Sequence, residues 1–393
     1  MLRQLIACFT VAAVFAVFQL PGCSWGYPVW PKNKKSDTPL FQFVVNEKFG
    51  AGYINRQGQV VIQPQYMDSL TGEGDFFEGL AHVVSKGYVN SLIDATGKQV
   101  SGRGYRPSGN FSEGLATRWL ADKKLYGYVD HTGRLAIPAI FESATDFSEG
   151  RAVVKVSGRF GYIDRSGKLI IPARFARAEA FIDGHALVIE DGPCRYIGYD
   201  PCARFNPEDL PALLPRIPGA PRAPLKRCHY SMIDGTGRVV FGGYTDAKHA
   251  AEGLVPVGDG KSWGYVDDSG RPRIPMMFDS AEPFSEGLAR VRKGDKWGFI
   301  DKSGAMVITP QFDNAENFSE GVAVVTVDHK SWFIDSKGKR VIPGVFDAAS
   351  SFVMGLAHVR VGADYYSSKW SWIEKSGKAI FTYSDQSNRG HTP

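Results

Sequence analysis

The sequence predicts an all-β protein made of about nine tandem units of about 34 residues, each a three- to four-stranded antiparallel repeat. The first observation is self-similarity: residues 288–321, LARVRKGDKWGFIDKSGAMVITPQFDNAENFSEG, form one complete copy, and related segments fill residues 40 to about 383. The second is composition, since 44 glycines and 12% aromatic residues favour short strands and tight turns. The third is that no helical periodicity is visible after residue 20.

Two sets of glycines measure the period. The glycines that close runs resembling F-S-E-G are Gly79, Gly114, Gly150, Gly184, Gly253, Gly287, Gly321 and Gly355. The glycines that close turns resembling D-x-S-G are Gly58, Gly97, Gly133, Gly167, Gly237, Gly270, Gly304, Gly338 and Gly377. In the first set the spacing is 34–36 residues, apart from one interval of 69 between Gly184 and Gly253 that leaves room for an insertion.

Each unit is predicted to be a meander of three strands, followed by a short fourth strand or a single helical turn. Alternation in the segment WGFID places Trp297 and Phe299 on one face and Ile300 on the other, so neighbouring units are expected to cover both faces. Gly298 has no side chain, and the backbone of a neighbouring unit is expected to come close there. A proline after the third strand, such as Pro310, is expected to end that strand.

The segment from Asp301 to Gly304 has the chemistry of a turn. Aspartate accepts hydrogen bonds from backbone N–H groups two residues on, and glycine supplies a positive φ. The preceding unit repeats the pattern with Trp263, Gly264, Asp267 and Gly270. Calcium ligation and catalysis are the alternatives, but an active site needs a constellation assembled once, and this one recurs without a histidine in register.

No catalytic, cofactor-binding or metal-binding residue is predicted. The glutamate of the F-S-E-G runs is interpreted as a turn or capping residue, and the eight histidines show no metal-ligand spacing. The repeated tryptophans are interpreted as core anchors, with a carbohydrate-stacking platform as the alternative.

These motifs resemble the WG-repeat (KWG-repeat) family, in its bacterial exported or lipoprotein form. The resemblance rests on Trp263-Gly264, Trp297-Gly298, the turns that follow them and the F-S-E-G-L-A run, and it covers most of the chain after the N-terminal segment. It implies a repeat architecture and a place in the bacterial envelope or outside the cell, and it implies no particular reaction.

The N-terminus has the pattern of an export signal. Arg3 precedes an apolar run too short to cross a bilayer, so residues 1–22 are expected to be a signal peptide. Leu20-Pro21-Gly22-Cys23 is similar to a lipobox, which predicts lipidation of Cys23 and a membrane-anchored lipoprotein; ordinary signal cleavage nearby is the alternative. Residues 23–39 would be a linker, and residues 384–393 a polar tail.

A proline-rich insertion, residues 191–228, divides the repeats into residues 40–190 and 229–383. It interrupts a hairpin, so Cys194 and Cys228 are expected at facing strand ends and are predicted to form a disulfide, with Cys194–Cys202 as the competing pair. Its second half is basic. The insertion is interpreted as a surface loop, and it is the place where the chain departs from repetition.

The predicted function is a non-enzymatic envelope protein, expected to be a monomer, whose extended β surface binds a protein or a glycan. A formal charge of +5 is too mild to indicate nucleic acid. The alternatives are a lectin-like module that uses aromatic residues such as Trp119 and Trp370, or an enzyme with its site at the insertion. The units are expected to form either an open superhelical array or a β-propeller-like ring; the open array is favoured because no unit is split between the termini.

Overall fold

A computed structural model describes residues 39–45, 50–67, 75–86, 89–100, 109–190, 229–362 and 368–384. All regular secondary structure in these residues is β, and it forms nine antiparallel sheets in tandem. The predicted fold class is therefore confirmed. The described part of the chain holds no helix long and apolar enough to cross a membrane.

The first four units, named by their sheets, contain strands β1 to β12. Unit 1 has β1 (Phe41–Val44), β2 (Ala51–Ile54) and β3 (Val60–Tyr66); unit 2 has β4 (Leu80–Ser85) and β5 (Val89–Asp94); unit 3 has β6 (Ala116–Leu120), β7 (Leu125–Val129) and β8 (Leu135–Phe141); unit 4 has β9 (Ser143–Ala144), β10 (Arg151–Val156), β11 (Arg159–Asp164) and β12 (Leu169–Phe175).

The other five units contain strands β13 to β31. Unit 5 has β13 (Arg177–Ala178), β14 (His185–Ile189), β15 (Tyr230–Asp234) and β16 (Val239–Tyr244); unit 6 has β17 (Asp246–Ala247), β18 (Leu254–Gly258), β19 (Trp263–Asp267) and β20 (Pro272–Phe278); unit 7 has β21 (Ser280–Ala281), β22 (Leu288–Lys293), β23 (Lys296–Asp301) and β24 (Met306–Phe312); unit 8 has β25 (Asn314–Ala315), β26 (Ala323–Val327) and β27 (Lys330–Ile334); unit 9 has β28 (Ala348–Ala349), β29 (Ala357–Val361), β30 (Lys369–Ile373) and β31 (Ala379–Ser384).

A complete unit is a four-stranded sheet in chain order: a two-residue short strand, then a second, a third and a long strand. In unit 8 the short strand pairs Asn314 with Thr326 and Ala315 with Val325. The segment between units is therefore a short strand, as one of the two alternatives predicted, and the helical turn is wrong.

Apolar clusters join each unit to the next. In unit 7, Phe299 packs in the cluster shared with unit 8 and Ile300 in the cluster shared with unit 6, and both side chains are fully buried. Period-two alternation produces this arrangement, because successive side chains of a strand point to opposite faces. The prediction that both faces of the sheet are covered is confirmed.

The first and last units are in contact, which closes the array into a ring. Phe41 and Phe43 of unit 1 pack with Trp372 and Phe381 of unit 9, at ring-centroid distances of 5.0 Å for Phe41–Trp372 and 4.7 Å for Phe43–Phe381. Trp372 also donates a hydrogen bond from Nε1 to the carbonyl of Gln42 at 3.1 Å. The preference for an open array was therefore wrong, and the ring alternative holds. Closure comes from side-chain packing between faces, which needs no unit split between the termini.

A complete sheet has its long strand at one edge, the long-strand edge, and its short strand at the opposite edge. Most of the exposed large apolar side chains lie on long strands: Val60, Val61, Leu135, Ile140, Leu169, Ile170, Met277, Met306 and Val307. At the opposite edge, adjacent units touch through residues that follow their short strands, as in Lys248 Nζ to Glu282 Oε1 at 2.7 Å.

Two expectations about single residues are corrected. A Cβ atom on Gly298 would lie 2.5 Å from the carbonyl oxygen of Ile308 and 2.7 Å from the nitrogen of Pro310, so the close backbone belongs to the long strand of the same unit. Pro310 lies inside β24 and does not end it. The register shifts between Trp297 and Phe299, and an edge strand at such a bulge tolerates proline because no ladder hydrogen bond is lost.

The insertion leaves the ring between two paired strands, since Ile189 at the end of β14 pairs with Tyr230 at the start of β15. Cys194 and Cys228 lie outside the described residues, as do the signal segment, Cys23 and the polar tail from residue 385 onward. Their proposed disulfide and lipidation remain predictions.

Candidate functional site

The repeated Asp and Ser residues are engaged in turns. In unit 7, Oδ1 of Asp301 accepts hydrogen bonds from the N–H groups of Ser303 (2.9 Å) and Ala305 (3.0 Å) and from the Ser303 hydroxyl (2.6 Å), while Gly304 has a φ of 84°. The Ser303 hydroxyl is the main cause that lowers the pKa of Asp301. A carboxylate with this many donors stabilises the turn and is a poor general base.

Unit 6 repeats this turn in full. Oδ1 of Asp267 accepts from the N–H groups of Ser269 and Arg271, each at 3.0 Å, and Gly270 has a φ of 81°. Gly264 lies under the backbone of its own long strand, as Gly298 does, with the Ile274 carbonyl oxygen 2.6 Å from the position of a Cβ.

The F-S-E-G runs connect neighbouring units. The glutamates have φ near 55°, as at Glu320, and their carboxylates accept hydrogen bonds from the glycine N–H of the next unit; the pairs are Glu78–Gly114, Glu113–Gly150, Glu149–Gly184, Glu252–Gly287, Glu286–Gly321 and Glu320–Gly355. In units 3, 4, 7 and 8 the residue before the glutamate is a serine that donates to a carbonyl of the next unit, as Ser319 does to Phe352 at 2.7 Å. Sequence analysis identified a turn and missed this inter-unit clamp, although the 34-residue spacing of matching donors was visible.

The tryptophans of the WG motif do not offer free ring faces in units 6 and 7. Nζ of Lys248 lies 4.7 Å from the ring centroid of Trp263, and the guanidinium of Arg290 lies 5.1 Å from that of Trp297. Both rings are partly buried against the apolar clusters. Outside the WG motif, Trp119 is 39% exposed and makes a ring contact with Tyr126 at 4.9 Å.

The two positions after each described short strand, and the positions aligned with them in units 2 and 3, differ from unit to unit and are mostly polar. We call these two positions the short-strand edge. The first position holds Gly109, Thr145, Glu179, Lys248, Glu282, Glu316 and Ser350, and the second holds Asp75, Asn110, Asp146, Ala180, His249, Pro283, Asn317 and Ser351. Sequence analysis missed this set because it searched for what the copies share; comparing the copies position by position would have found it.

The edge is internally neutralised in units 6 and 7. Oε1 of Glu282 lies 2.7 Å from Nζ of Lys248 and 3.9 Å from a guanidinium nitrogen of Arg290, and all three side chains are largely buried. Tyr265 donates its hydroxyl to the Glu282 carbonyl at 2.8 Å. Burial lowers the pKa of the neighbouring His249. In this part of the edge, Lys248 and Arg290 balance the charge of the Glu282 carboxylate.

The edge is not neutralised in units 4 and 5. Burial raises the pKa of Asp146 to about 6, against one long hydrogen bond from the Asn110 N–H at 3.3 Å. Burial also raises the pKa of Glu179, although Arg177 acts in the opposite direction. Among the described residues, neither carboxylate forms an ion pair. Carboxylates whose pKa is raised by burial are candidates for a binding site.

A stack of aromatic rings lies at the junction of units 9 and 1. The imidazole of His358 lies 4.7 Å from the ring of Trp370 and 4.6 Å from that of Trp372, and its Nε2 is 2.8 Å from the Tyr383 hydroxyl. Burial lowers the pKa of His358 to about 3, so the ring is neutral. Trp370, once a candidate for glycan stacking, is packed here.

In the described parts of the chain, no group of three or more His, Cys, Asp or Glu residues is arranged to hold a metal ion. The structure brings Trp263 and Trp297 next to the short-strand edge through Lys248 and Arg290. It places Asp267, Gly270, Asp301 and Gly304 in turns at the ends of the third strands.

Comparison with known proteins agrees with this architecture. The sequence matches the family described as "WG containing repeat" over residues 52–88, 126–159, 160–192, 263–297, 297–330 and 333–370. No curated protein sequence matches the chain.

A crystal structure of a eukaryotic initiation factor superposes with a TM-score of 0.57 and 10% identity, covering 90% of this chain and 97% of that chain. BamB from Moraxella catarrhalis gives a TM-score of 0.38 and 11% identity, covering 77% of this chain and 96% of that one. At 10% identity the likeness to the initiation factor concerns the fold alone.

Proposed function

The chain belongs to the WG-repeat family, and on that premise we propose that it is a non-enzymatic binding protein of the bacterial cell envelope. Its ring of β-units serves as a rigid scaffold, and a protein or glycan partner binds at the short-strand edge.

One observation carries this proposal. The polar residues that recur in most units form hydrogen bonds within turns and inter-unit clamps, as Asp301 does with Ser303 and Glu320 with Gly355. The polar residues that differ between units gather at one edge of the ring, where two carboxylates have no ion-pair partner among the described residues. A surface that varies on a constant scaffold is the usual arrangement of a binding site in repeat proteins.

The envelope location is supported by sequence alone. The short apolar run in residues 1–22 and the lipobox-like Cys23 favour export and a lipid anchor. A linker over residues 23–39 would hold the ring away from the membrane surface. Among the described residues, an apolar cluster covers the facing sides of units 9 and 1 as well, which favours a monomer.

A glycan partner has one observation in its favour. Trp119 is the aromatic residue among the exposed large hydrophobic side chains in the described chain. Its ring contact with Tyr126 holds it in place, as a stacking platform requires. The tryptophans of units 6 and 7 do not support a platform repeated in every unit, because cations cover them.

Site-specific photocrosslinking tests the proposal. A photoreactive residue replaces Thr145 at the short-strand edge in one variant and Val307 on the long-strand edge in the matched control; both positions are exposed. In intact envelopes, position 145 should give one dominant crosslinked species that position 307 does not give. Soluble cell-wall glycan fragments are added to see whether they compete. Equal crosslinking from both positions, or none from position 145, would contradict a binding role for this edge.

A further inference from the structure

We propose that the short-strand edge between units 3 and 4 binds a lysine or arginine side chain of an extended partner protein, held between the carboxylate of Asp146 and the exposed ring of Trp119. This inference rests on the proposed binding function and specifies the chemistry of the partner.

The protein contains an occupied version of such a site between units 6 and 7. The ammonium of Lys248 lies 4.7 Å from the ring centroid of Trp263 and 2.7 Å from a carboxylate oxygen of Glu282. An ammonium between an aromatic face and a carboxylate gains from both the ring quadrupole and the opposite charge. Here the chain supplies its own cation.

Unit 3 has the same position but no cation. Gly109 stands where unit 6 has Lys248, two residues before Phe111 as Lys248 is two residues before Ala250. A Cβ atom on Gly109 would lie 2.2 Å from Oδ1 of Asp146 and 2.6 Å from the hydroxyl oxygen of Thr117. The Asp146 carboxylate of unit 4 therefore packs against the backbone of Gly109, which has no side chain, beside the Thr117 hydroxyl. Asp146 follows its short strand one residue later than Glu282 does, so the two carboxylates are analogous in role and not identical in position.

Aromatic rings border the same place. Tyr126 is the first residue of the WG-like motif in unit 3, as Trp263 is in unit 6, and it pairs across the strands with Trp119. Trp119 and Thr117 lie on one face of β6, two residues and about 7 Å apart. An extended segment crossing the edge can therefore place a cationic side chain next to Asp146 and its aliphatic stem against Trp119.

In the described part of the chain, no cation compensates the charge of Asp146. A carboxylate removed from water without an ion pair is costly to the fold, and a bound cation would offset that cost. Among the described residues the one hydrogen bond to this carboxylate is the long bond from the Asn110 N–H. In units 6 and 7, Lys248 and Arg290 offset the cost of removing the Glu282 carboxylate from water. Since none of the described residues supplies a cation to Asp146, we assign the cation for units 3 and 4 to the partner.

The test measures binding of a blocked peptide of alternating lysine and glycine to the mature chain by isothermal titration calorimetry. The wild type should bind this peptide and not a matched peptide of alternating glutamine and glycine. Asp146→Asn should weaken binding by about tenfold or more, because a charge-assisted contact is lost. Trp119→Ala should weaken binding as well. Glu316→Gln, which removes a carboxylate from the same edge in unit 8, should change the affinity by less than about twofold.

Three results would overturn the proposal: equal affinity of wild type and Asp146→Asn, equal loss with Glu316→Gln, or no binding of the lysine peptide. Spermidine binding as tightly as the peptide would overturn the assignment of the cation to a protein segment. Thermal unfolding followed by circular dichroism verifies that each variant is folded. If photocrosslinks from position 145 persist in Asp146→Asn at wild-type intensity, the binding function stands and this inference fails.

Discussion

Asp146 and Glu282 show how one kind of residue takes two roles on the same edge. Glu282 has Lys248 at 2.7 Å, whereas Asp146 has no ion-pair partner among the described residues. Local sequence cannot distinguish them, because the Glu282 partner comes from 34 residues earlier in the chain. Turn residues such as Asp301 are different: their hydrogen bonds reach at most four residues, so the pattern D-x-S-G was enough to predict a turn.

Replacing Asp146 by Asn is expected to stabilise the protein at neutral pH. Because the folded-state pKa is raised from 3.8 to about 6, wild type loses stability as pH rises through this interval, and Asn does not ionise. The variant should be more stable by about 1–3 kcal/mol above pH 6, with no advantage below pH 4. Urea unfolding at several pH values measures this difference.

The matched control is Glu282→Gln, which takes the carboxylate away from Lys248 and should lower stability. An Asp146→Asn variant that is less stable than wild type at pH 7.5, or whose advantage does not change with pH, would show that this carboxylate is not an uncompensated charge.

The F-S-E-G run acts as one element, a clamp from one unit to the next at six junctions among the described residues. Serine donates to a buried carbonyl and glutamate accepts from a glycine N–H, at separations of 33 to 37 residues. The clamp is absent where the ring closes, and its residues are also replaced between units 5 and 6, where Ile182 and Asp183 stand in place of serine and glutamate. Unit 9 has Val353 and Met354 in place of serine and glutamate, and unit 1 has Pro39, which lacks an N–H, in place of glycine. At this junction the glycine N–H donor and the glutamate acceptor are therefore both absent.

Ser319→Ala is expected to destabilise the fold by about 1–2 kcal/mol, because the Phe352 carbonyl loses its side-chain donor in a partly buried place. Ser336→Ala, at an exposed turn position of the same unit, should change stability by less than about 0.5 kcal/mol. Chemical unfolding gives both values. Equal effects would mean that the clamp does not contribute to the stability of the interface.

The whole molecule is a ring of nine units, and sequence predicted its parts better than their closure. Period, turns and two-sided burial follow from local pattern, and they were confirmed in residues such as Phe299 and Ile300. Closure depends on contacts between residues about 330 positions apart in the sequence, such as Gln42 with Trp372. No local sequence pattern predicts these contacts. The aromatic rings of Phe41, Phe43 and Phe381 replace the missing clamp at this junction.

The most direct test of the closed ring is a spin-label distance across the junction. In a cysteine-free background, labels are attached to Gln57→Cys in unit 1 and Ser376→Cys in unit 9, two exposed turn positions. Ser303→Cys and Lys337→Cys, at the same turn position in units 7 and 8, form the reference pair. Double electron–electron resonance should give the same distance for both pairs, because closure makes units 9 and 1 neighbours like any others. A junction distance clearly longer than the reference distance would show an open array and contradict the account.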